Sequence, residues 1–307
     1  MKKLLLGDFA VARGAYEGGV RVATAYPGTP STEITEELSR YDDVYSEWAP
    51  NEKVALEVGF GASLAGARTI VSMKHVGLNV ASDPLYTAAY TGVNAGLVVA
   101  VADDPSMFSS QNEQDTRLIA RAANVPVIEP SDSAESKDFA KLAFEISEKY
   151  DTPVILRMTT RVAHSQGLVE IGEREELPLK PYERNIPKYV MMPANAKKRH
   201  IVVEERLNKL CEDSNEFAIN RIESGSKDLG IICAGGVYQY CLVSRMPAGS
   251  PTTRAISRRM TRRPSNASPT PSRRPAEESC WWGPSTATRW SWPAAPSPTL
   301  VIWTPRG

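Results

Sequence analysis

Eight consecutive residues, Gly96 to Asp103 (GLVVAVAD), carry one charge, and it stands at the end. The run is far short of the roughly 20 apolar residues of a membrane span. It is also shorter than most helices. Near-continuous apolar side chains over this length suit a strand covered on both faces, as in a parallel sheet between two helical layers.

The flanking sequence agrees. Strand signals at 20–26 (VRVATAY), 44–48 (VYSEW), 68–75 (RTIVSMKH), 125–130 (VPVIEP) and 153–160 (PVILRMTT) alternate with helical patterns. Those patterns fall at 30–41, from Asn51 to Gly66, at 78–93 with a break at Pro84, at 113–124 and at 133–150. Strand–helix alternation with short links predicts an α/β fold, a doubly wound and mostly parallel sheet, over residues 1–165. Residues 166–200 are polar and punctuated by Pro178, Pro181, Pro187 and Pro193, which reads as a linker. Residues 201–241 read as the start of a second α/β domain, with a helix over 201–224 and a strand and glycine turn in DLGIICAGG (228–236). That second domain is incomplete.

Composition changes near residue 242. The whole chain of 307 residues has a formal net charge of zero, but residues 1–244 carry −8 and residues 245–307 carry +8. The last segment holds ten Arg and no Lys, eleven prolines, and five of the six tryptophans, with no helical or strand period. One reading of 242–307 is a disordered basic arm that binds nucleic acid. Clustered tryptophan fits a solvating tail poorly, and Arg without Lys is odd for a phosphate-binding patch. The second reading, an unstructured tail translated out of frame from a GC-rich gene, is the one adopted, and reading the locus in the other two frames tests it.

The four cysteines, Cys211, Cys233, Cys241 and Cys280, form no CxxC pair. They offer neither a zinc nor an iron–sulfur half-site, and no disulfide framework. No metal ligand is therefore expected in this chain. The opening MKKLLLGDFA has too short an apolar run for a signal peptide, and no membrane span is expected. Reduced thiols suit a cytoplasmic protein.

In an open parallel sheet, ligands sit beyond the C-terminal strand ends. After the first strand comes YPGTPST (26–32), where Thr29 suits an N-cap and Pro30 the first helical position. Free N–H groups around Gly28 and the Thr29 hydroxyl would seat a carboxylate or phosphate; an ordinary capped helix explains the same residues. After the second strand comes Glu52, opening a helix with small residues at 55, 59, 62, 63 and 66. Such a face admits another backbone at close range. The glycines at 59, 61 and 66 lack the GxGxxG spacing and lie within a helix, which excludes a dinucleotide fingerprint. A first-turn Glu also simply complements the helix dipole. His75 ends the third strand beside Gly77 and Asn79, and the loop 109–114 (SSQNEQ), with Asn112 and Gln114, is dense in hydrogen-bonding groups.

Taken in order, AYPGTPSTEI, NEKVALEV, MKHVGLNVASDPL, VAVADDP, SSQNEQDTR and EPSDSAE resemble the 2-oxoacid:ferredoxin oxidoreductases, a family of thiamine diphosphate enzymes. Within it the likeness is to the large (alpha) subunits of the indolepyruvate type, over about residues 1–240. The resemblance implies that 1–165 is a pyrimidine-binding domain for thiamine diphosphate. It implies that Glu52 hydrogen-bonds the cofactor's aminopyrimidine ring and favours the imino form that deprotonates the thiazolium carbon. The carbanion then attacks an aryl 2-oxo acid, CO2 leaves, and the acyl group passes to CoA with ferredoxin as electron acceptor. By the resemblance, Thr29 would hold the substrate carboxylate. From the residues themselves, His75, Asn112 and Gln114 are candidates for the substrate and Gly28 and Gly77 for the cofactor; a His satisfied in a strand-end turn and a helix N-terminal cap are the alternative readings of His75 and of the 109–114 loop. Pyruvate-using relatives place an Arg at the end of the fourth strand, where this chain has Ala102-Asp103-Asp104; the departure puts that carboxylate clamp in doubt.

The family also has a second domain that holds the diphosphate through Mg2+ with a GDG motif, ferredoxin-like [4Fe–4S] clusters, and a small (beta) subunit as partner. Neither the GDG motif nor the cluster cysteines occur in this sequence. The expectation is a fragment that is inactive alone. Two other readings are a pyrimidine-domain subunit of another 2-oxoacid:ferredoxin oxidoreductase working with a partner chain, and a non-catalytic binding module with a basic tail.

Overall fold

The computed structural model describes residues 1–223 and 231–244. Met1–Gln239 belong to one compact unit, and a second begins at Tyr240. The expected tail from 245 onward lies outside the described residues, as does 224–230. Within the expected strand at 228–236, residues 231–234 have no regular structure, and the glycines lead into a helix, α11 (Val237–Ser244).

Six strands form one parallel sheet: β2 (Val22–Ala25), β3 (Tyr45–Trp48), β4 (Thr69–Lys74), β5 (Leu97–Asp103), β6 (Val127–Ile128) and β7 (Val154–Thr159). Their order is β3-β2-β4-β5-β7-β6. Every residue of β4 and β5 is buried. Alternation along β5 sorts its side chains: Val98, Ala100 and Ala102 enter one core, Leu97, Val99 and Val101 the other. The first core is closed by α1 (Gly7–Glu17), α2 (Thr32–Leu38) and α7 (Ser133–Tyr150), through Val11, Leu38 and Phe144. The second is closed by α3 (Glu52–Leu64), α4 (His75–Val80), α5 (Ser82–Thr91) and α6 (Thr116–Ala123), through Leu56, Leu78, Leu85 and Ala120. Helices on both faces of a parallel sheet are the doubly wound arrangement the alternation predicts.

Several boundaries differ from the sequence reading. A strand, β1 (Lys2–Leu6), and helix α1 precede the expected first strand. β1 pairs antiparallel with β8 (Gln166–Glu170), inside the stretch read as a linker. The expected helix at 201–224 instead runs from Pro193 to Asp213 as α10, after a short turn α9 (Ile186–Tyr189). Burial of Val203, Leu207 and Leu210 seats α10 on the first unit. Its Arg206 donates to the Asp151 carbonyl (2.6 Å) and the Ala89 carbonyl (2.7 Å), and burial lowers that guanidinium's pKa to about 10. The break in 78–93 falls at Ala81, between α4 and α5. Pro84 sits in the first turn of α5, where its missing N–H costs little. No helix among the described residues is long and apolar enough to cross a membrane.

Candidate active site

The C-terminal ends of β2, β4 and β5 deliver Gly28, Lys74 and Asp104 to one edge of the sheet. Glu52 arrives there on α3, which starts after β3 because the Asn51 side chain caps it, accepting from Val54 N–H at 3.0 Å. The carboxylate is half-buried and has no hydrogen-bond or ion-pair partner among the described residues. It lies against Gly77 of α4: a Cβ on Gly77 would stand 2.5 Å from Glu52 Cγ and 2.5 Å from Oε1. Gly77 thus sets the position of Glu52 by having no side chain.

The small-residue face of α3 makes the close approach expected of it, and the partner is the sheet. Ala55, Gly59 and Ser63 are buried against the sheet itself. A Cβ on Gly59 would lie 2.5 Å from Val71 Cγ2. The Thr24 hydroxyl donates to the Ala55 carbonyl (2.7 Å), and Ser63 Oγ to the Ala95 carbonyl (2.6 Å). The small residues bring α3 down onto β2 and β4.

Thr29 does not cap α2. Its peptide bond to Pro30 is cis, and the cap position is Ser31, whose hydroxyl donates to the Gly28 carbonyl (2.8 Å). Gly28 N–H donates to Thr32 Oγ1 (3.0 Å), so that amide is taken rather than free for an anion. Thr29 is exposed. His75 is the first residue of α4 rather than the end of β4, and it is fully buried. Its Nε2 lies 3.1 Å from the Asn112 carbonyl oxygen, which can only accept, so Nε2 carries the proton. Nδ1 is buried and has no partner among the described residues. The Asn112 side chain is exposed, and its Oδ1 accepts from Gln114 Nε2 at 2.9 Å.

Lys74 was not singled out in the sequence. It is 7% exposed, and its Nζ donates to the Ser109 carbonyl at 2.8 Å, with Ser109 Oγ at 3.4 Å. No carboxylate forms an ion pair with it among the described residues. Burial pushes its ammonium pKa below the usual value, against the pull of Asp104. The signal was a lysine at the end of the apolar stretch RTIVSMKH, where a solvated charge had no obvious outlet.

Asp103 and Asp104, at the end of β5, have structural partners. Asp103 pairs with Arg157 (2.7 Å), which also binds Glu129 (2.6 Å), all three buried. Asp104 accepts from Ser109 N–H (2.8 Å), Ser110 Oγ (2.6 Å) and Thr160 Oγ1 (2.9 Å). Burial alone would raise its pKa, but these hydrogen bonds outweigh it and hold it at about 2. Asp104 therefore ties the 106–110 loop to the sheet edge. Arg117 forks onto Asp115 (2.9 and 2.8 Å), an ion pair beside the site.

The contacts join two groups into one patch. Glu52 and Gly77 connect through α4 to His75, Asn112 and Gln114. Lys74, Gly28 and Ser109 connect to Thr29, whose carbonyl lies 3.5 Å from Ser109 Oγ. Half-buried carboxylate, buried ammonium and an orphaned imidazole nitrogen at the ends of parallel strands make a polar site of the kind that holds a cofactor and a small anion.

A sheet of this topology, with its polar site at the strand ends, defines an α/β ligand-binding domain. The family described as "Pyruvate flavodoxin/ferredoxin oxidoreductase, thiamine diP-bdg" matches residues 13–216, and the chain belongs to it. The indolepyruvate oxidoreductase subunit IorA of Archaeoglobus fulgidus is 48% identical over 248 residues, covering 78% of this chain and 40% of that protein. The IorA subunit of Pyrococcus horikoshii is 50% identical over 250 residues, covering 78% of this chain and 38% of that protein. The chain thus spans about 40% of the length of these relatives. Among solved structures, a 2-oxoglutarate:ferredoxin oxidoreductase from Magnetococcus marinus aligns with a TM-score of 0.65 at 19% identity, covering 84% of this chain and 52% of that one. That likeness shows the fold.

Proposed function

We propose that this chain supplies the pyrimidine-binding half of a thiamine diphosphate site in an indolepyruvate-type 2-oxoacid:ferredoxin oxidoreductase. The observation that carries the reading is the Glu52 carboxylate, seated against Gly77 with its hydrogen-bonding capacity unspent. The ring nitrogen of an aminopyrimidine would share a proton with such a carboxyl group, so the residues present fit the cofactor. When bound, thiamine diphosphate supplies the nucleophilic carbon and the electron sink for decarboxylation.

The protein's part is positional and electrostatic. Glu52 would hold the ring nitrogen through a shared proton. Gly77, against which Glu52 is seated, and Gly28, packed on Lys74, would border the cofactor. Lys74, buried and with hydrogen-bonding capacity beyond Ser109, offers a cation to the carboxylate of an aryl 2-oxo acid, in place of the Arg of pyruvate-using relatives. Thr29, Asn112 and Gln114 border the substrate. His75 Nδ1 is an acceptor for a donor on the ligand.

The diphosphate with its Mg2+ and the [4Fe–4S] clusters are assigned to other parts of the assembly. A small subunit, ferredoxin and CoA are the partners the reading requires. Calorimetric titration of thiamine diphosphate into this chain joined with the small subunit and the diphosphate-binding domain tests it. Saturable binding that weakens in Glu52→Gln supports the reading; equal binding by both overturns it.

A further inference from the structure

Asp8, in the first turn of α1, is fully buried, and neither of its carboxylate oxygens has a hydrogen-bond partner among the described residues. Ordinary carboxylates are buried only with such partners. The residue is carried inward by backbone packing. Gly7 N–H donates to the Ser165 carbonyl at 3.0 Å, and the Gly7 α-carbon lies so close to the Val162 carbonyl that no side chain would fit between them. This fixes the start of α1 against α8 (Thr160–Ala163) and the residue that ends it, His164.

Two further groups meet Asp8 there. Glu33, in the first turn of α2, has a buried Oε2 that is also without a partner. His164 Nε2 lies 3.7 Å from Glu33 Oε1. One ligand atom from each of Asp8, Glu33 and His164 lies within 4.8 Å of the others. Ligands at about 2.0–2.2 Å from a first-row divalent ion bring their donor atoms somewhat closer together than that. Glu33 and His164 side chains are 32% and 36% exposed and can rotate to close the gap.

We infer that Asp8, Glu33 and His164 form a binding site for a divalent first-row metal ion. Two carboxylates and one imidazole are the donor set of borderline ions such as Zn2+, Mn2+ and Co2+. The ion would neutralise the stranded Asp8 carboxylate and clamp the starts of α1 and α2 to the end of α8. Because Glu33 follows the Gly28–Thr32 segment by one residue, the clamp would also steady that side of the candidate active site. The site is separate from the Mg2+ assigned to the diphosphate, and the inference rests on these three residues alone.

The test is titration of the full chain with Co2+, followed by visible d–d absorption and by the melting temperature. The expected result is one bound equivalent and a rise in melting temperature with metal, since an ion that binds only the folded state stabilises it. Both should disappear in His164→Ala and in Glu33→Gln. His164 is partly exposed, so its variant retains the fold and keeps the test decisive. Absence of Co2+ binding, or binding that is equal in the wild type and both variants and so belongs to the cysteines, overturns the inference and leaves Asp8 as a buried neutral acid.

Discussion

Glu52 and Gly77 are packed so closely that a single methyl group on Gly77 would stand 2.5 Å from both Cγ and Oε1 of the glutamate. Alanine normally stabilises a helical position over glycine by up to about 1 kcal/mol. Here it must push the carboxylate aside. Gly77→Ala is expected to leave the melting temperature nearly unchanged while lowering turnover of the reconstituted oxidoreductase. A displacement of about 1 Å at a reacting centre is worth up to about 100-fold in rate. Unaltered turnover in Gly77→Ala would show that Glu52 needs no such seat.

Two glycines of α3 make an internal comparison. A Cβ on Gly59 would meet Val71 Cγ2 at 2.5 Å, whereas one on Gly61 meets nothing within 4 Å. Overpacking a tight core costs about 1–3 kcal/mol, so Gly59→Ala is expected to destabilise by that order. Gly61→Ala is expected to stabilise by up to about 1 kcal/mol. Urea denaturation of both variants checks the signs; matching shifts would contradict the packing of α3 on β4.

Arg157 joins Asp103 and Glu129 in a buried network. Removing one member leaves charges stranded, typically at about 3–5 kcal/mol. Arg157→Met is therefore expected to cost stability of that order, read from its denaturation midpoint. A loss below about 1 kcal/mol would mean that water or rearrangement satisfies both acids.

Asp104 carries a pH dependence. Its pKa is near 2 in the folded chain, below the roughly 3.9 of a free aspartate. The unfolded chain therefore binds the proton more readily. The stability from this residue is full above about pH 4 and is lost as pH falls through about 2. Asp104→Asn should flatten the stability profile between about pH 4 and about pH 2. An unchanged slope would assign the acid sensitivity to other carboxylates.

Lys74 is the cation proposed for the substrate carboxylate. Hydrogen bonds to charged groups are worth about 1.5–3 kcal/mol. Lys74→Met should raise KM for the 2-oxo acid in the reconstituted enzyme by about 10-fold or more, with a smaller change in kcat. Equal KM values would remove Lys74 from the substrate site.

Local sequence determined much of this protein. The βα alternation, the buried character of 97–103, the long helix 133–150 and the Asn51 cap that places Glu52 at a helix start all depend on residues within a turn or two of each other. Periodicity and capping are short-range physics, so they are legible in a string. Tertiary structure decided the rest. β1 pairs with β8 across more than 150 residues, and a strand this short acquires its partner only once the sheet and helices exist. Small residues on α3 announce a close approach, and only the folded layers make the sheet its partner. His75 moved from a strand end into a helix, and Lys74, Asp104 and Asp8 gained their distinct environments from burial. Burial is a property of the assembled layers: a charged residue reads as a solvated one until the chain has folded over it.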